Sequence, residues 1–303
     1  MKDNHDNNTT RLETKTPVPS PQSPVPIETL DPRTPNPDPH SLFSITNITK
    51  TFPAPSEQED LFTALDDVSF DIFGGQCLMI AGSNGSGKTL LMRIIAGLME
   101  PDGGEVFFQG QPLYNKKVAR NSTFKRLRRT LGLVLQDADA QIVGETVIED
   151  ASFGPENLGW AASDVKIASE KALADMGLID KKDNSPRQLS GGEKRRLAIA
   201  GIAAMGVSTI IMDEPFANLD WPGVVQTLNV IRNLKKSGRT MIILTHELEK
   251  ALALADRLII LHKGKVRADS SPAEVLDSLD PAWGVHDPRK HYTSIEDCSW
   301  LEN

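Results

Sequence analysis

At 303 residues and 39% hydrophobic, the chain is long enough to bury a large core in one or two domains. Its net charge of -8 excludes the dominant basic face of a general nucleic-acid binder, so no nucleic-acid partner is expected. No apolar run approaches the ~20 residues needed to cross a bilayer, and the N-terminus lacks a signal-peptide core, which points to the cytosol or a membrane periphery.

Residues 1–40 carry nine of the 20 prolines among Thr, Asn and Asp, with almost no apolar residues. Such a segment buries too little surface to offset the entropy of ordering it, so a disordered tail is expected. Its Pro-Val-Pro and Pro-Asn-Pro-Asp-Pro runs leave recognition by a proline-binding module open. Beyond residue 42, Phe43, Ile45 and Ile48, then Val68, Phe70 and Ile72, alternate with polar residues and predict antiparallel strands with one buried face. Phe52 ends the first strand, where its ring is either a platform for a purine or an ordinary core or loop aromatic. Cys77 reads as a buried strand thiol and Cys298 as a tail thiol, neither in a C-x-x-C pair.

The apolar run Leu78-Met79-Ile80-Ala81 leads into Gly82-Ser83-Asn84-Gly85-Ser86-Gly87-Lys88-Thr89 and then into Leu90-Leu91-Met92-Arg93-Ile94-Ile95-Ala96. The pattern is strand, glycine-rich loop and helix, with G-x-x-x-x-G-K-[ST] spacing. In such a loop backbone N–H groups turn inward around a phosphate, Lys88 reaches the β and γ oxygens, and the Thr89 hydroxyl can ligate Mg²⁺. The positive end of the following helix adds to the attraction.

A turn cluster at 99–104 precedes a strand at 105–108, and a run of Lys and Arg between 116 and 129 reads as a solvated helix face, with acidic headgroups as the other option. Residues 131–135 form a short apolar strand ending at Gln136, a polar residue at the edge where ligands of open α/β sheets gather. An acidic irregular stretch, 137–145, leads to a helix beginning near Thr146. Pro155 and Gly159 are expected to break it, and 167–176 resumes as an amphipathic helix. Leu189-Ser190-Gly191-Gly192-Glu193 stands before the helical run 197–205; its exposed N–H groups and the Ser190 hydroxyl offer an anion site or a plain cap.

The strand 209–212 ends in Asp213-Glu214, two adjacent acids that would repel each other without a task. Asp213 can hold Mg²⁺ through water while Glu214 polarises a nucleophilic water. A loop at 217–220 and a helix at 224–234 follow. The strand 241–244 then ends at Thr245-His246, which puts His246 on the same edge as Gln136 and Asp213, a candidate contact for a γ-phosphate. Strands at 257–261 and 265–268 and a helix at 272–279 complete the pattern, and the sequence beyond 280 is polar.

This order of motifs resembles the ATP-binding subunit of ABC transporters over roughly residues 42–275. By that resemblance, 82–89 is the Walker A loop, Gln136 the Q-loop glutamine, 189–193 the signature motif and 212–214 the end of Walker B. Asp220 is then the D-loop acid, His246 the switch histidine and Phe52 the adenine-stacking aromatic. Residues 136–141 and 146–158 are similar to segments of the energy-coupling-factor branch, the cobalt, nickel and vitamin importers. Asp137-Ala138 stand where Asn-Pro is usual, Glu193 where glutamine is commoner, and Phe216 with Asn218 alter the loop after Walker B.

The resemblance implies an α/β fold, a P-loop NTPase of ABC type with a mixed RecA-like core sheet, an antiparallel β subdomain and a helical subdomain at about 137–200. The domain is expected over 41–280, with a short polar extension at 281–303. It further implies an ATPase with catalytic Glu214, His246 and Gln136. Phe52, the residues from Gly82 to Thr89, and Ser190, Gly191 and Gly192 would bind ATP, and Thr89, Gln136 and Asp213 would hold Mg²⁺. The implied partners are a second ATPase domain, identical or a close paralogue, a transmembrane coupling protein and a substrate-binding membrane protein, at the cytoplasmic face of the cell membrane. Soluble ABC ATPases of translation or DNA repair are the rival class, against which stand the single nucleotide domain and the lack of zinc cysteines and of a basic face.

Overall fold

The computed structural model describes residues 40–54, 61–114 and 121–289. The expectations for the proline-rich tail, for Cys298 and for the chain beyond 289 lie outside the described residues.

Strand β1 (Ser41–Pro53) pairs antiparallel with β2 (Leu61–Phe73), with Ile45 opposite Phe70 and Ile48 opposite Val68. The chain then enters β3 (Cys77–Ala81) and, after the glycine-rich loop, α1 (Lys88–Ile95). β4 (Gly103–Phe108) returns to β1, and β5 (Gln111–Tyr114) closes a four-stranded sheet of order β2-β1-β4-β5. β5 is not evident from the sequence, because its proline suits only an edge strand and so hides the pattern. α2 (Asn121–Thr130) carries the part of the basic run from 125 to 129 and leads to β6 (Leu131–Val134), while the run's start at 116–120 lies outside the described residues.

Four helices follow: α3 (Ala138–Gln141), α4 (Val147–Asn157), α5 (Ala162–Asp175) and α6 (Gly191–Ala204). α4 and α6 both begin on capping boxes, Thr146 with Glu149 and Ser190 with Glu193. The expected break at Pro155 does not occur, for the proline lies inside α4. Lacking an N–H, it releases the carbonyl of Ala151 one turn earlier, and the buried Ser169 hydroxyl of α5 lies 3.3 Å from that oxygen and donates to it. Ser169→Ala should therefore cost about 1–3 kcal/mol in denaturant unfolding by orphaning that carbonyl. Adding Pro155→Ala restores the N–H and should recover the carbonyl's share of the loss, leaving that of the Ser152 hydroxyl, which donates to Ser169 Oγ at 3.1 Å; a double variant as unstable as Ser169→Ala would refute the pairing.

β7 (Thr209–Asp213), α7 (Trp221–Lys236), β8 (Thr240–Thr245), α8 (Leu248–Ala251), β9 (Arg257–His262), β10 (Lys265–Ser270) and α9 (Pro272–Asp277) complete the fold. The six-stranded sheet has the order β10-β9-β3-β8-β7-β6, parallel except for β10. Its inner strands β3, β8 and β7 are fully buried because both faces are covered, while the edge strand β10 alternates exposed and half-buried residues. Alternation sorts them: Leu78, Ile80, Ile211, Ile242 and Ile259 face the core shared with α1 and the four-stranded sheet, while Cys77, Met79, Ile210, Met212 and Ile243 face the helices. Past the polar boundary at 280 the chain still packs: Val285 is buried in that second core and the Trp283 carbonyl lies 3.1 Å from His262 Nδ1.

Candidate active site

Register places the site. Ala81 at the end of β3 pairs with Thr245 at the end of β8, Asp213 of β7 pairs with Leu244, and Val134 of β6 pairs with Met212. The carboxyl ends of four parallel strands thus deliver the loop 82–87, His246, Glu214 and Gln136 to one edge of the sheet.

The loop leaves β3 under tight constraint. A Cβ on Gly82 would stand 2.1 Å from the Leu261 carbonyl oxygen and 2.7 Å from Ser86 Oγ, so no side chain fits there. Gly87 caps α1 at φ 105, a conformation that L side chains rarely adopt. Lys88, 6% exposed, donates from Nζ to the carbonyls of Gly82 at 2.6 Å and Ser83 at 3.2 Å, and lies 3.9 Å from Glu214 Oε1. Burial pulls its pKa down, against the pull of Glu214 and Asp213.

Thr89 Oγ1 donates to Asp213 Oδ2 at 3.0 Å, so the two groups expected to hold a metal touch. Asp213 Oδ1 and Ser86 Oγ are buried with no hydrogen-bond partner. An unpartnered carboxylate oxygen is a ligand that a hard cation takes and an unpartnered hydroxyl is a donor that a phosphate oxygen takes, so these residues fit Mg²⁺ and a nucleotide. Burial raises the Asp213 pKa, opposed by the Thr89 hydrogen bond and reinforced by Glu214. Raised above its unfolded value, this carboxyl supports the fold most at acid pH, and the support is lost as pH climbs through the folded value. Asp213→Asn should accordingly raise the melting temperature of the nucleotide-free protein at neutral pH and change it little at acid pH. A lower melting temperature at neutral pH would contradict this.

Glu214 sits at φ 47, an uncommon backbone conformation for a side-chain-bearing residue. Its Oε1 lies 2.8 Å from His246 Nδ1, and its Oε2 accepts from the Thr245 hydroxyl at 3.1 Å. From sequence alone Thr245 is only a strand end; nothing local reveals that its hydroxyl meets a carboxylate 31 residues earlier.

Other expected residues stand apart from this cluster. Gln136 is exposed and lines a cleft of about 480 Å³ with Asp137, Gly191, Lys194 and Asn218, without a hydrogen bond to Thr89 or Asp213. The buried Arg195 of α6 ties down its approach by donating to the Leu135 carbonyl at 2.7 Å. Ser190 caps α6, accepting from Glu193 N at 3.3 Å, and lines a separate cleft of about 450 Å³ with Asp220 and Gly223. Glu193 completes that box by accepting from Ser190 N at 3.0 Å and pairs with Lys181 at 2.6 Å, which pulls its pKa down. Glutamate in place of the commoner glutamine is thus built into the helix start. Phe52 lies on the four-stranded sheet, 37% exposed, with Lys50 Nζ 5.8 Å from its ring centre.

The family model described as ABC transporter matches residues 65–217. The chain is similar to the cobalt import ATP-binding protein CbiO of Rhodobacter capsulatus, 41% identical over 213 residues, which cover 70% of this chain and 75% of that one. It is 38% identical over 224 residues to the energy-coupling factor transporter ATP-binding protein EcfA1 of Streptococcus pneumoniae, covering 73% and 79%. Among solved structures, CbiO1 from Clostridium perfringens, described as part of the ABC transporter complex CbiONQ, superposes with a TM-score of 0.68 at 28% identity over 78% of this chain and 91% of that one. A bacterial ABC transporter cassette solved as a dimer matches with a TM-score of 0.67 at 26% identity, covering 76% and 98%.

Proposed function

The chain belongs to the ABC transporter ATPase family and hydrolyses ATP to power transport, and from that premise we propose that it works as one half of a head-to-tail pair closing on two Mg-ATP. In this reading the N–H groups of 82–89 and Lys88 hold the triphosphate, and Phe52 carries the adenine. Thr89, Gln136 and Asp213 would hold Mg²⁺, which when bound would supply positive charge to the phosphates. Glu214 takes the proton of the attacking water, and His246, hydrogen-bonded to it, contacts the γ-phosphate. Ser190, Gly191 and Gly192 of the second copy, or of a close paralogue, cover the γ-phosphate from the far side.

One observation carries the pairing. Among the described residues Ser190 shares neither a hydrogen bond nor a cleft with the 82–89 loop, Asp213, Glu214 or His246. A chain alone therefore lacks the donors that stabilise the charge spreading over the transferred phosphoryl group. The specific rate of ATP turnover should rise with protein concentration until pair formation saturates. A rate constant per chain that holds down to nanomolar protein, with the chain sedimenting as a monomer, would overturn the reading.

The relatives named for cobalt import and for energy-coupling-factor transport, with the likeness of 136–141 and 146–158 to that branch, support a metal ion or vitamin as cargo. The proposed partners are a transmembrane coupling protein and a substrate-binding membrane protein, which hold the subunit at the cytoplasmic face of the membrane. Among the described residues no helix is long and apolar enough to cross a membrane.

A further inference from the structure

We propose that Thr245 is a positioning residue for ATP hydrolysis, its hydroxyl aiming the Glu214 carboxylate. The inference rests on the reading of Glu214 as the base. Thr245 is 0% exposed and ends β8, hydrogen-bonded on one side to the strand that feeds the glycine-rich loop and on the other to the strand that carries Asp213.

The direction of its hydrogen bonds follows from donor chemistry. The backbone N–H of Glu247, 3.0 Å from Thr245 Oγ1, can only donate, and an ionised carboxylate can only accept. The hydroxyl must therefore accept from Glu247 and spend its single proton on Glu214 Oε2 at 3.1 Å. The other oxygen, Oε1, meets His246 Nδ1 at 2.8 Å. Consecutive residues at the end of one strand thus hold both oxygens of the carboxylate, which departs from a backbone at φ 47. Without the hydroxyl, only His246, 44% exposed at its side chain, and Lys88 at 3.9 Å would direct the group. Rotation toward the ammonium would turn the basic oxygen away from the water.

Thr245→Val keeps the shape and β-branching and deletes only the hydroxyl. The expected result is a kcat lowered about 10- to 100-fold, as misplacement of a reacting group costs, with KM for ATP within about twofold of wild type. Thr245→Ser should return most of the rate. In single-turnover assays on a Glu214→Gln background, Thr245→Val should change nothing further, since its effect passes through that carboxylate. A Thr245→Val kcat within about twofold of wild type, a full further loss on the Glu214→Gln background, or no rescue by serine would each overturn the proposal. Should the valine variant fold poorly, Thr245→Ala against Thr245→Ser gives the same reading, with the ATP-induced rise in melting temperature as the check on folding. Failure of the underlying reading looks different: Glu214→Gln would then itself retain turnover.

Discussion

Glu214→Gln should lower single-turnover hydrolysis about 10²- to 10⁴-fold, while ATP still binds and the protein is expected to accumulate as a closed pair. The amide has the same volume and keeps an oxygen for the Thr245 hydroxyl at Oε2, so the local packing around the buried side chain should survive. What disappears is one negative charge and, on the proposed role, the basic oxygen that would take the water's proton. That charge matters twice. Glu214 raises the pKa of neighbouring Asp213 and lies 3.9 Å from Lys88 Nζ, so it opposes a second anion at the loop and competes for the ammonium. Removing it favours the triphosphate-bound state just as it removes the means of leaving that state. Gel filtration with ATP and a phosphate-release assay read both consequences, and release at the wild-type rate would refute the role given to Glu214.

Two inactive proteins should make an active one when mixed. Lys88→Ala removes a buried ammonium that donates to Gly82 and Ser83, and is expected to lower turnover about 10²- to 10³-fold, the scale for losing a donor to a developing anion. Ser190→Arg fills the cleft that Ser190 shares with Asp220 and Gly223 and should have a comparable effect. In a head-to-tail pair each site takes its loop from one chain and its signature serine from the other. A heterodimer of the two variants therefore has one site with both defects and one with neither. Turnover restored on mixing, and absent in either variant alone, is the expected result. A mixture as inactive as its components, with heterodimers present by sedimentation, would mean that each chain completes its own site.

The features legible in the sequence share a local cause. A glycine-rich turn between an apolar strand and a helix, the acids at 213 and 214, and the capping boxes at Thr146 and Ser190 are written within about ten residues, because strand polarity, caps and phosphate loops are short-range devices. Strand ends carrying Gln136, Asp213 and His246 were equally readable, and register does bring these ends to one edge. Gln136 nevertheless makes no bond to Thr89 or Asp213 in the single chain. Pro155 misled because its cost is met by Ser169, a residue on another helix.

The sequence by itself determined the fold class, the chemistry of the loop and the identity of the charged groups around it, since each follows from residue type at a fixed spacing along the chain. Only the tertiary structure decided the strand order β10-β9-β3-β8-β7-β6, the need for glycine at 82 beneath the Leu261 carbonyl, and the meeting of Thr245 with Glu214. Apart from the local β9–β10 hairpin, those depend on contacts between residues 31 to 179 positions apart, whose closeness comes from burying both faces of the inner sheet and leaves no periodic trace in the chain.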